Sequence, residues 1–124
     1  KNLKSNNVKF KPAVFDINNK IKIIDGYEIF VLPSKREGLP QSLIEAMARN
    51  KIVISSENYG GKELIQDNKN GFLFKINDFN QLSQILNNLR KMSENQKSKI
   101  RQNARKTAQS FKWNNLINKL ERLF

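Results

Sequence analysis

Two carboxylates, Glu37 and Glu45, stand eight residues apart in the stretch PSKREGLPQSLIEAMARN, on either side of the turn Gly38-Leu39-Pro40. A carboxylate accepts well from vicinal hydroxyls. A helix beginning near Ser42 would add the free N–H groups of its first turn, an anion site suited to phosphate. At about 1.5 Å of rise per helical residue the two side chains could span on the order of 10 Å. That is the reach from a sugar ring, past a diphosphate, to a ribose. The spacing alone is unspecific, because Glu37 also reads as a solvating loop residue and Glu45 as one side of a helix.

The elements that would position this pair alternate along the chain. Val8-Lys-Phe10 reads as a short strand, and Phe15–Ile24 as a helix with some strand character. Ile29–Leu32 is a continuous apolar run ended by Pro33, the pattern of a strand buried on both faces of a parallel sheet. The loop Pro33–Gln41 then leads into a helix over Ser42–Ala48, in which Ala46, Met47 and Ala48 read as packing residues. Asn50 is placed to cap it in the left-handed region. Ile52–Ile54 is a second buried strand, and Gly60-Gly61 opens a short helix through Ile65 whose N-terminus Glu63 is placed to satisfy. Asn70-Gly71 turns into the strand Phe72–Phe74. A helix after Asp78 carries Leu82, Ile85, Leu86 and Leu89 on one face. A second, about Glu94–Ser110, has the thin stripe Ile100, Ala104, Ala108 and Phe111, and a last one carries Leu116, Ile117, Leu120, Leu123 and Phe124. Strands separated by helices predict βαβ units, an α/β fold with a parallel sheet, and ligand binding at the carboxyl ends of the strands.

Composition narrows the chemistry. The 124 residues suit one domain with a core of its own. There is no cysteine, hence neither a disulfide nor a thiolate metal site, and no histidine, the usual neutral-pH base and zinc ligand. Ile29–Leu32 is far too short to cross a bilayer and no signal peptide is visible, so a cytoplasmic setting is expected. The first residue is Lys, and the chain is expected to be a piece of a longer one. The net charge is +12, with ten Lys and Arg against Glu94 and Glu121 in residues 90–124. Such a surplus reads either as attraction to phosphate, in nucleic acid or an anionic membrane, or as a solvated helix face. No aromatic residues interleave with the basic ones in the manner of a base-stacking surface.

The whole string changes the weight of the glutamate pair. PSxxEGLPxxxxEAMA, followed by a buried strand, then GGxEL and NGFLF in that order, resembles the family 4 retaining glycosyltransferases (glycosyl transferases group 1) of the GT-B fold. The resemblance runs from about Val8 to Phe124, with Phe111-Lys-Trp113 similar to the family's closing segment. It implies a Rossmann-like, partial C-terminal domain that binds a sugar-nucleotide donor. Residues 1–111 would be the donor-binding domain lacking its first strands, and residues 112–124 a helix packing back toward an absent N-terminal acceptor domain. Glu37 matches the first glutamate of the family's E-x7-E motif, which contacts the donor sugar and counts as catalytic. Glu45 matches the second, which binds the ribose hydroxyls. Gly38, Leu39 and Pro40 match the turn whose backbone approaches sugar and diphosphate, Gln41 and Ser42 lead into the helix beneath it, and Gly60 and Gly61 match a glycine pair that reads as donor contact or as turn residues.

The implied activity is retaining transfer of a hexose from a nucleotide sugar, such as a UDP- or GDP-hexose, to a saccharide or lipid-linked acceptor of cell-surface polysaccharide, lipopolysaccharide or glycolipid. The resemblance implies no cofactor and no required metal. The chain departs from the pattern at Asn50, where glycine is common, at Ile52, where proline is, at Pro12, near a usual glycine, and at Glu28, where aspartate is frequent. In the strand order 3-2-1-4-5-6 the absent strands fall between Val8–Phe10 and Ile29–Leu32, so the isolated chain is expected not to transfer sugar. The basic C-terminal end would favour an anionic membrane surface at the inner face, and nucleic acid is not an expected partner. Two rivals stand beside this reading: a non-catalytic module of the same fold, and a nucleic-acid binder that uses the charge of residues 90–124.

Overall fold

In the computed structural model, residue 22, residues 25–36, residue 38 and residues 40–111 are described. The expected strand at Val8–Phe10, the helix over Phe15–Ile24 apart from Lys22, and the last helix with Trp113 lie outside them, as do Glu37 and Leu39.

Three strands, β1 (Ile29–Leu32), β2 (Ile52–Ser56) and β3 (Phe72–Phe74), form a parallel sheet in the order β1-β2-β3. Ile29 pairs in register with Ile52, and Ile54 with Phe72. Between and after them, among the described residues, come the helices α1 (Gln41–Ala48), α2 (Tyr59–Leu64), α3 (Phe79–Lys91) and α4 (Glu94–Ser110), in the expected alternation. This is the α/β, Rossmann-like architecture that the strand and helix signals predict.

The period-2 alternation of each strand divides the core. Val53 of β2, with Phe30, Leu32 and Leu73, faces Leu43, Ala46 and Met47 of α1 and Leu64 and Ile65 at the end of α2. Ile52, Ile54, Phe72 and Phe74 face the other way, toward Leu89 of α3. Central strand β2 is buried throughout, whereas all four residues of β1 are only half-buried. Both faces of β1 pack as expected, Phe30 and Leu32 against one cluster and Ile29 and Val31 against the other, but less completely than those of β2. Two packing assignments change. Ala48 is exposed, on the last turn of α1, and Leu86 is 37% exposed, so the packed stripe of α3 narrows to buried Leu89 with half-buried Leu82 and Ile85.

The helix ends follow their sequence signals. α1 closes in a Schellman motif: Lys51 N donates to Ala46 O (3.1 Å) and Asn50 N to Met47 O (3.2 Å), with Asn50 at φ 65°. Asp78 accepts from Gln81 N at the start of α3, and Ser93 and Gln96 form a capping box at the start of α4. Arg49 pairs with Asp25 through Nε (2.9 Å) and Nη2, and this hydrogen bond holds the Asp25 carboxyl below its ordinary pKa.

Helix α4 takes a route that periodicity does not predict. Ile100 belongs to one core cluster, and Ala104 and Ala108 to the other. Its Asn103 donates to Lys69 O (3.0 Å), and Thr107 accepts from buried Asn70 (2.9 Å). Glu94 and Arg101 line a cleft of about 250 Å³ with Glu28, Asn50 and Lys51. Those partners precede β3, β1 and β2 in turn, so α4 runs beneath the N-terminal ends of the strands. The C-terminal ends are left for the other loops.

Candidate functional site

The C-terminal ends of β1 and β2 release two loops side by side. The first, beginning at Pro33, runs into α1 and carries the candidate residues. Gly38 is exposed, Pro40 is buried, Gln41 is exposed and Ser42 half-buried at the opening of α1, and Glu45 is half-buried one turn further on. The structure thus brings Gly38, Pro40, Gln41, Ser42 and Glu45 into one continuous loop–helix unit at the strand ends. Glu37 and Leu39 belong to the same loop but lie outside the described residues.

Pro40 occupies the N-cap of α1 and offers no side-chain cap; the first turn holds no acidic residue. Pro40 O accepts from Leu43 N (3.0 Å) and Ile44 N (3.2 Å). The other three described helices are capped by Asn58, Asp78 and Ser93. Among the described residues nothing pairs with the Glu45 carboxylate, and Leu43, Ala46 and Met47, each 0% exposed, fix the helix on the sheet. The arrangement offers a hydrogen-bond acceptor on a rigid helix and an N-terminus open to an anion.

The second loop leads from β2 into α2, and here the structure corrects the sequence reading. Glu63, expected to satisfy the helix N-terminus, is exposed. Asn58 does so instead, its Oδ1 accepting from Gly61 N at 2.7 Å. Helix α2 accordingly begins at Tyr59 and ends at Leu64, one residue earlier at each end than the glycine pair suggests. Gly60 and Gly61 are both buried, and an added Cβ at Gly61 would lie 2.5 Å from Ser55 Oγ. Close packing on the end of β2 thus accounts for Gly61 within the chain itself.

Asn58, Ser56 and the Ser34 carbonyl are site-forming groups that the sequence reading missed. Asn58 Nδ2 donates to Ser34 O (2.9 Å) and Ser56 Oγ (3.0 Å), and Ser56 Oγ donates to Ser34 O (2.5 Å). The available signal was an Asn two residues ahead of a Gly-Gly pair, which is an N-cap pattern. Its contact with a residue 24 positions away leaves no trace in local periodicity. Among the described residues no group of three His, Cys, Asp or Glu comes together to hold a metal ion. No described helix is long and apolar enough to cross a membrane.

A parallel sheet flanked by helices, with a loop–helix unit at its carboxyl edge, is the plan of a doubly wound α/β domain, in which ligands sit outside the carboxyl ends of the strands. The solved C-terminal domain of the glycosyl transferase group 1 family protein LpcC from Francisella tularensis superposes with a TM-score of 0.72 at 27% identity, over 82% of this chain and 51% of that one. The fold is thus that of the C-terminal domain of a GT-B glycosyltransferase. Residues 1–107 match the family model for glycosyl transferases group 1, and the chain belongs to that family.

Among curated proteins it is similar to EpsD of Bacillus subtilis (strain 168), with 36% identity over 77% of this chain and 24% of that protein. The amylovoran biosynthesis glycosyltransferase AmsK of Erwinia amylovora is 41% identical over 64% of this chain and 20% of its own length. The UDP-Gal:alpha-D-GlcNAc-diphosphoundecaprenol alpha-1,3-galactosyltransferase of Escherichia coli is 35% identical over 68% of this chain and 23% of its own. The chain spans about a quarter of the length of these relatives.

Proposed function

We propose that this chain is the donor-binding part of a retaining hexosyltransferase of family 4, acting in the biosynthesis of a cell-surface polysaccharide or lipopolysaccharide. Residues 1–111 form the donor domain and residues 112–124 the helix that returns toward an N-terminal acceptor domain. The donor is a UDP- or GDP-hexose and the acceptor a saccharide or lipid-linked saccharide. The Escherichia coli relative supports this class by name, joining a UDP-sugar to a diphosphoundecaprenol-linked acceptor.

The observation that carries the reading is the loop–helix unit at the carboxyl edge. Helix α1 begins there without a side-chain cap, and Glu45 is half-buried and unpaired among the described residues. In this assignment Glu45 receives the ribose hydroxyls. The diphosphate lies against the first turn of α1, at Gln41 and Ser42, with the helix N-terminus easing charge build-up on the leaving group. Glu37 holds the donor sugar as the catalytic carboxylate, and Leu39 and Pro40 shape the turn. Gly38 gains a reason in the same picture: a Cβ there would meet nothing within 4 Å and its φ is not positive, so neither packing nor backbone strain asks for glycine. Close approach of a donor does. The chemistry so assigned needs no cofactor and no metal, and transfer requires the acceptor domain, so the isolated chain binds donor but does not turn it over.

Saturation-transfer NMR on the purified chain with UDP-sugars, GDP-sugars, UDP and GDP tests the reading. Selective contact at ribose and sugar protons is expected, lost in Glu45→Ala. A folded sample that touches none of these ligands counts against donor binding by these residues, and sugar turnover by the isolated chain would overturn its assignment as an incomplete enzyme.

A further inference from the structure

The two loops at the carboxyl edge are joined by a closed hydrogen-bond network, and its centre is Asn58. This side chain is 2% exposed, and every polar atom of it is used. The amide orientation follows from its partners: Gly61 N can only donate and Ser34 O can only accept, so Oδ1 faces the first and Nδ2 the second. Ser56 Oγ gives its single proton to Ser34 O and receives one from Asn58, so the directions around the ring agree. Ser34 O thereby accepts two bonds, from residues 22 and 24 positions further along the chain. Ser34 lies three residues before Glu37 and four before Gly38.

We infer that Asn58 is a positioning residue for the donor loop, tying the start of the Pro33–Pro40 segment to the end of β2 and the first turn of α2. It touches no reacting atom; it acts through Ser34 on where the start of the loop, and with it Gly38, stands relative to Glu45 on α1. This inference rests on the donor-site reading above. A loop held only by its two ends could place its carboxylate in many positions, whereas two further bonds from buried donors fix its first residues against a central strand. Misplacement of such a group by about 1 Å is enough to cost on the order of a hundredfold in a reaction that depends on geometry.

Two variants separate positioning from the capping that Asn58 also performs. Asn58→Ser keeps a good N-cap for α2 but is too short to reach Ser34 O. Ser56→Ala removes the other bond to Ser34 O and leaves the cap untouched. Each is made in the full-length protein. Donor Kd, donor KM and kcat are then measured, together with Tm and amide hydrogen exchange over residues 33–40 without ligand. The expected result is faster exchange in that segment and a donor Kd and KM raised about tenfold in both variants, with Ser56→Ala still folded and its Tm lowered by the loss of its buried hydrogen bonds. Unchanged exchange and donor affinity in Ser56→Ala overturn the inference, and this holds even if Asn58→Ser fails to fold. If wild type binds no nucleotide sugar, the donor-site reading fails while the exchange data still report on the tether.

Discussion

At Gly61 an added Cβ would lie 2.5 Å from Ser55 Oγ and 2.7 Å from the Ser56 carbonyl oxygen, and the latter is backbone of the central strand. Gly38, also singled out by sequence, has open space around it among the described residues. The two are alike on paper and opposite in cause. Gly61→Ala is expected to destabilise by about 1–3 kcal/mol, because β2 cannot yield without disturbing its register on both sides. Gly38→Ala is expected to shift stability by no more than about 0.5 kcal/mol while weakening donor binding. Urea unfolding of both variants, alongside donor titration, checks the contrast; equal midpoints for the two would show that β2 accommodates the methyl group.

Among the elements, two buried asparagines hold the ends of the sheet. Asn58 does so at the carboxyl edge, and Asn70, 4% exposed, at the amino edge, where it bonds Leu64 O (3.0 Å), Thr107 Oγ1 (2.9 Å) and Gln66 N (2.8 Å). The Asn70-Gly71 turn was legible from residue type; that its side chain anchors α4 was not. The boundaries of β1 and β3 and the span of α4 could be read from apolar runs, from Pro33 and from the stripe of Ile100, Ala104 and Ala108, since those signals are local. Helix α1 packs on α4 through small residues, with Ala46 and Ala104 both 0% exposed in one cluster. Enlarging that contact should push the helices apart: Ala104→Leu is expected to cost about 1–3 kcal/mol. An unchanged thermal midpoint would show that α4 is not seated against α1 as described.

Over the described residues, the basic side chains of α4 and the candidate loop–helix unit lie at opposite ends of the sheet. Lys99, Arg105 and Lys106 are exposed on α4, and its one acidic residue, Glu94, pairs with Arg101. Because α4 passes beneath the N-terminal ends of the strands, its charge does not line the loop that opens at Pro33. If this surface attracts an anionic membrane, as proposed from charge, each well-placed Lys contributes about 1 kcal/mol. The two functions should then separate cleanly. Replacement of Lys99 and Lys106 by Gln is expected to lower binding to anionic vesicles at low salt and leave donor affinity unchanged, with Glu45→Ala doing the reverse. Equal binding of wild type to neutral and anionic vesicles would remove the membrane role.

By itself the sequence determined, among the described residues, the order and type of the elements and the parallel sheet, and it singled out the stretch that carries Glu37 and Glu45. Those properties follow from short-range rules: apolar runs make strands, 3.6-residue stripes make helices, and Pro, Gly and Asn punctuate them. Only the tertiary structure decided that Asn58, and not Glu63, closes the start of α2, and that the same side chain ties down the loop after β1 at Ser34. It also decided that Gly61 is small because a strand lies against it, and that α4 carries its charge away from the site. Each of these depends on groups that are distant in sequence and adjacent in space. The physical reason is the same throughout: a buried amide or a missing methyl group is specified by what packs against it, and chain folding alone brings those neighbours together.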